Sequence, residues 1–113
     1  MLLAADPVFS VHDTIRWWEA LDARERGHAA DFTRLFVAPG MAHCRGGPAT
    51  SRFDAFTALT RWVEEGIAPD RIVATAPQGT PWPGRSRPLC PYPTVARPTG
   101  AGDPDRAESF ACR

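Results

Sequence analysis

The order of apolar runs and helical repeats predicts an α/β fold, a small parallel sheet with crossover helices. Short apolar runs at residues 1–5 and 32–37 alternate with helical repeats that begin near Ser10 and Ser51. Each run is closed by a proline, at Asp6-Pro7 and at Pro39-Gly40, where a missing N–H ends ladder pairing. Two or three strands bury too little to form a sheet alone, so the pattern reads as the end of a larger domain.

The elements follow in order. Ser10 and Asp13 stand at capping-box spacing before a helix whose apolar stripe is Ile15, Trp18, Ala20 and Leu21, with Arg24, Arg26 and His28 suited to its carboxyl end near Gly27. Phe32–Val37 reads as a strand, and Pro39–Pro48 as a loop carrying His43 and Cys44. A second helix is expected over Ser51–Glu65, because Phe53, Phe56, Leu59, Trp62 and Val63 repeat at helical spacing and Gly66 stands ready as its stop. Arg71–Ala76 is a strand centred on Ile72 and Val73. Beyond it, Pro77, Gly79, Pro81, Pro83 and Gly84 forbid regular structure, and an irregular tail with a short helix near residues 105–110 is expected to the end. Trp17, Trp18 and Trp62 are expected in the core, and Trp82 as a packing anchor in its loop.

Composition narrows the function. A chain of 113 residues is one small domain at most, able to bury about two thirds of its unfolded surface. Its net charge is zero, which removes any electrostatic case for nucleic acid or a membrane surface. The first residues lack the basic start and long apolar run of a signal peptide, and no stretch approaches the ~20 apolar residues of a membrane span. Three cysteines are an odd number. Cys90 and Cys112 bracket a loose tail that a disulfide would pin, leaving Cys44 without a partner inside the chain; three buried thiols are the alternative. The cysteines and His43 lack the paired short spacings of a zinc site, so no metal and no cofactor is expected. His12 and His28 read as surface or capping histidines.

Asp6 follows one strand and His43 the next, the chain order in which an α/β-hydrolase keeps its acid and base. That chemistry needs a carboxylate to hold the imidazole in one tautomer and to stabilise the imidazolium formed when the base takes a proton.

Ordered segments across the chain resemble the carboxyl-terminal part of the tannase and feruloyl esterase family. They are Ala5-Asp6-Pro7-Val8-Phe9-Ser10, Arg34-Leu35-Phe36-Val37-Ala38-Pro39-Gly40-Met41-Ala42-His43-Cys44 with Gly46-Gly47-Pro48, Phe53-Asp54, Trp62-Val63-Glu64, Arg87-Pro88-Leu89-Cys90-Pro91-Tyr92-Pro93, Ala96-Arg97, Gly100-Ala101-Gly102-Asp103 and Phe110-Ala111-Cys112. The resemblance implies that residues 1–113 are the carboxyl-terminal portion of an α/β-hydrolase sheet, with two to three strands, two main helices and an irregular tail closed by a disulfide between Cys90 and Cys112. It implies His43 as catalytic base, Asp6 as triad acid and Phe9 as a residue near the acyl pocket. It implies that Cys44 bonds a cysteine outside this chain, just before a nucleophilic serine. It implies a secreted or periplasmic serine esterase acting on hydroxycinnamate, gallate or terephthalate esters, whose partner is the remaining amino-terminal part of the same domain.

The family's Gly-x-Ser-x-Gly-like elbow and lid are not among these residues. None of Ser10, Ser51, Ser86 and Ser109 has the flanking glycines an elbow requires. The chain alone is therefore expected to be inactive. The rival reading is a non-catalytic remnant or interaction domain that keeps the fold elements.

Overall fold

The computed structural model describes residues 2–3 and 6–113, and the side chains from Asp6 onward. Of the apolar run at the amino terminus, β1 covers Leu2–Leu3, while the part at residues 4–5 lies outside the described residues. β1 pairs in parallel with β2 (Val37–Ala38), Leu2 opposite Val37 and Leu3 opposite Ala38. Between them runs α1 (Val11–Arg24), so the three form a β–α–β unit. Ser10 caps α1 by accepting the Asp13 N–H. The helix ends one turn before Gly27, where Arg26 and Gly27 take left-handed conformations and the Gly27 N–H bonds back to the Asp22 carbonyl at 2.8 Å.

Two apolar clusters hold these elements. Trp18 of α1 meets Ala29 and Leu35, flanked by Ile15, Leu21 and Tyr92. The Trp18 and Tyr92 rings stand edge to face at 5.6 Å, and the Tyr92 hydroxyl donates to Glu19 at 2.6 Å. Ala20 and Trp17, expected inside, lie on the outer face of α1, with Trp17 exposed to 62%. At about 100° per residue neither shares the stripe centred on Trp18. The second cluster joins Phe36, Ala38, Met41, Ala49, Ile72, Ala74 and Leu89.

Several expected boundaries move. The run from Phe32 to Leu35 is not strand: Ala29–Asp31 makes a 3-10 turn, Phe32 is exposed, and only Phe36 begins extended pairing, against Pro91. The second helix, α2 (Ala55–Glu65), starts four residues later than expected, because Arg52 is held in an extended bridge to Thr75 and Asp54 supplies the cap. Gly66 ends it in the left-handed conformation. Phe53 and Ala58 reach the second cluster. Phe56, Leu59 and Val63, three members of the expected stripe, are instead exposed to 79%, 55% and 77%.

The tail is more regular than its prolines suggest. β3 (Ile72–Thr75) pairs antiparallel with β4 (Ser86–Leu89), and β5 (Ala96–Pro98) with β6 (Phe110–Cys112). Pro88 and Pro98 are tolerated because each ladder has only two strands, so an absent N–H leaves no second neighbour unpaired. The proline- and glycine-rich segment after Ala76 makes the β3–β4 connection, where Trp82 stacks under the Arg85 guanidinium at 4.5 Å. Near residues 105–110 the expected helix is one 3-10 turn, Ala107–Ser109. Cys90 and Cys112 are bonded, with Cα atoms 5.5 Å apart.

Candidate active site

Parallel pairing of β1 with β2 sends the residues after both strands to the same edge of the pair, the position where open α/β sheets assemble their sites. Asp6 follows β1 and His43 follows β2, and they meet there: His43 Nδ1 lies 2.9 Å from Asp6 Oδ2. The Asp6 side chain is 6% exposed, that of His43 43%. A second histidine–aspartate pair, His28 and Asp31, is a surface contact with both side chains more than 70% exposed. Burial of the carboxylate separates the first pair from the second.

The local sequence explains how the acid is held. Pro7 fixes the turn after Asp6, and Asp6 Oδ1 accepts the backbone N–H groups of Val8 at 2.8 Å and Phe9 at 3.2 Å. One carboxylate oxygen is thus held by the main chain and the other faces the imidazole. Burial alone would raise the Asp6 pKa; the hydrogen bond from His43, the two N–H groups and the His43 charge outweigh it and hold the carboxyl below its ordinary value.

His43 rides on a loop braced by glycine. Met41 and Ala49, 2% and 3% exposed, anchor its two ends in the core. The Ala42 N–H bonds to the Gly46 carbonyl at 3.2 Å across the loop, and Arg45 N–H to the His43 carbonyl at 2.7 Å. Gly47 is in the left-handed region, and a methyl group there would fall inside contact with the Gly40 carbonyl oxygen. Cys44, also left-handed at φ 61°, is an exposed free thiol. Phe9 is 64% exposed, with its ring 5.5 Å from the His43 imidazole at an interplanar angle of 42°. The Gly46–Gly47 spacing signalled a tight loop in the sequence, but the approach of Gly47 to Gly40 had no signal there.

Asp6 is the one hydrogen-bond partner of the His43 ring among the described residues. With Nδ1 directed at the carboxylate, a neutral imidazole keeps Nε2 as an acceptor, the arrangement a general base requires. Among the described residues no group of three or more histidine, cysteine, aspartate or glutamate side chains is placed to hold a metal ion, and no helix is long and apolar enough to cross a membrane.

Comparison with known proteins places the chain in a family. The family model for tannase and feruloyl esterase matches residues 2–113. Mono(2-hydroxyethyl) terephthalate hydrolase of Piscinibacter sakaiensis is 51% identical over 96% of this chain and 18% of its own length. A probable feruloyl esterase of Arthroderma benhamiae is 36% identical over 96% of this chain and 21% of its own. In fold, the crystal structure of feruloyl esterase B from Aspergillus oryzae aligns with a TM-score of 0.81 at 22% identity, over 99% of this chain and 26% of that one. The relatives carry esterase names, the family being one of carboxylic ester hydrolases, and the structural match shows a shared fold. The chain belongs to the tannase and feruloyl esterase family, and it spans about a fifth of the length of the relatives just described.

Proposed function

We propose that these residues are the carboxyl-terminal, acid–base part of an α/β-hydrolase domain, a serine esterase that cleaves aromatic carboxylic esters of the hydroxycinnamate, gallate or terephthalate type. The observation that carries the reading is the 2.9 Å contact between His43 Nδ1 and a carboxylate that is 6% exposed. Asp6 holds the Nδ1–H tautomer, so Nε2 takes the proton of a serine hydroxyl as its oxygen attacks the ester carbonyl. The imidazolium, stabilised by Asp6, then gives that proton to the departing alcohol. An acyl-enzyme remains, and the same base activates water to release the acid.

The serine belongs to the rest of the domain. Ser10 caps α1, Ser86 accepts the Ala107 N–H, and Ser109 donates to the Asp103 carbonyl, so three of the four serines here have structural partners. The uncovered Phe56, Leu59 and Val63 face of α2 suits cover by that same remaining part. Cys44, next to the base and exposed, suits a bond to a cysteine near the nucleophile, and disulfides at both places suit a secreted or periplasmic enzyme. Phe9, beside the imidazole, suits the edge of an acyl pocket.

A chimera tests this. These residues are joined in place of the matched segment of mono(2-hydroxyethyl) terephthalate hydrolase and assayed on a chromogenic aryl ester. Turnover is expected in the chimera and not in the 113 residues alone; His43→Ala abolishes it, and Asp6→Asn lowers kcat by about 10⁴-fold. Turnover indifferent to His43, or robust turnover by the 113 residues alone, overturns the proposal. A folded but inactive chimera favours the non-catalytic remnant.

A further inference from the structure

Phe9 touches both members of the pair, by two different parts of itself. Its backbone N–H donates to Asp6 Oδ1 at 3.2 Å, and its ring lies against the His43 imidazole with centroids 5.5 Å apart. The second contact has a distinct physical consequence. The His43 side chain is 43% exposed on a surface loop, and among the described residues the hydrogen bond at Nδ1 is the one polar contact that orients its ring. A tilted aromatic neighbour at this separation lies within the favourable range for aromatic pairs. It stands beside the imidazole and narrows the range of χ angles open to that ring, and with it the opening of the Nδ1–H bond.

Because the same residue is fastened to the carboxylate through its main chain, the ring is carried by the turn that carries the acid. Any movement of the Asp6 turn moves the restraint on His43 with it. Val8 donates to the same oxygen at 2.8 Å, so the turn is held at two points. We infer that Phe9 is a positioning residue that couples the two groups, its N–H fixing the carboxylate and its ring restraining the imidazole. This rests on the acid–base reading of Asp6 and His43, and it differs from a role as pocket wall because the ring acts on the base whether or not an ester is bound.

The test uses proton NMR of the 113-residue chain with its disulfide formed. In the unmodified chain a cross-relaxation peak between the Phe9 and His43 rings is expected, together with a far-downfield Nδ1–H signal that disappears in Asp6→Asn. In Phe9→Ala the Nδ1–H exchanges with water faster by about 2- to 10-fold, the population factor an aromatic pair of this kind supports. Phe9→Tyr restores the slow exchange. In the active chimera Phe9→Ala lowers kcat with little change in KM, whereas a pocket wall raises KM.

Absence of the ring-to-ring peak in the unmodified chain overturns the inference without any variant. So does unchanged exchange in Phe9→Ala, or an effect confined to KM; in each case the Asp6–His43 reading stands if Asp6→Asn still removes the signal. A chain with no Nδ1–H signal that responds to Asp6 removes the acid–base reading as well.

Discussion

Adding one methyl group at Gly47 tests the loop that carries His43, and Gly46 supplies the control. The two glycines have nearly the same left-handed backbone, φ 80° at Gly46 and 79° at Gly47. Alanine at either costs about 1–2 kcal/mol for that conformation, and the entropy gained in the unfolded chain is common to both. Their surroundings differ. A Cβ on Gly46 meets nothing within 4 Å. On Gly47 it overlaps the Gly40 carbonyl oxygen and comes within 3.1 Å of the Ala42 nitrogen, all backbone.

Neither neighbour can retreat easily. Gly40 is itself pressed against the Pro48 carbonyl, whose oxygen lies 2.7 Å from where a Gly40 Cβ would stand, and the Ala42 N–H is bonded to Gly46. Relief breaks that bond, at about 1 kcal/mol, and adds overpacking strain of about 1–3 kcal/mol. Gly47→Ala is therefore expected to be less stable than Gly46→Ala by about 2–4 kcal/mol. Urea unfolding followed by tryptophan fluorescence reads this as a lower midpoint at unchanged slope. Equal midpoints for the two variants, with the His43–Asp6 contact intact in both by NMR, would refute the close approach of Gly47 to Gly40.

Other expectations concern the tail and the carboxylates. Opening the Cys90–Cys112 bond, whose ends are 22 positions apart, with paired serine substitutions should lower unfolding free energy by about 3 kcal/mol. An unchanged urea midpoint would show that pairing of β5 with β6 is enough. Thiol titration of the native chain should find a single reactive group and lose it in Cys44→Ser; a residual reactive thiol contradicts the bridge. Asp54 is held below the ordinary carboxyl value by the Thr57 N–H and hydroxyl, and Asp6 by His43 and the turn. Since the folded state binds these protons less readily than the unfolded chain, their contribution is complete above the unfolded carboxyl pKa of about 4 and is lost as pH falls below it. Asp6→Asn and Asp54→Asn should each flatten the acid limb of a stability–pH curve; an identical limb in both counts against the two hydrogen-bonded carboxylates.

Much of the chain was legible from local rules. The Ser10 cap, the Gly66 stop and the alternation of β1, α1 and β2 depend on residues whose preferences are set by their own backbone and near neighbours, while the bond between Cys90 and Cys112 was implied by the family resemblance. The tail was not legible for a complementary reason. Pro88 and Pro98 argue locally against a strand, and only the edge position of each in a two-stranded ladder removes the objection. Helix α2 misled differently: its stripe of Phe53, Phe56, Leu59, Trp62 and Val63 is truly amphipathic, yet most of that face has no cover among the described residues.

The candidate site divides along the same line. Residue type and order marked Asp6 and His43 as a pair to consider, a carboxylate after one strand and an imidazole after the next, and the resemblance to the tannase and feruloyl esterase family implied the roles of acid and base. Tertiary structure decided that they meet, because parallel pairing of Leu2 with Val37 brings the two following loops to one edge. It also decided that Phe9 lies against the imidazole, that Gly47 is pressed to Gly40 and that the Asp6 carboxylate is buried. Periodicity and composition report the face a residue turns and the turn it can make. Distance between segments far apart in the chain is set only when the strands between them find their partners.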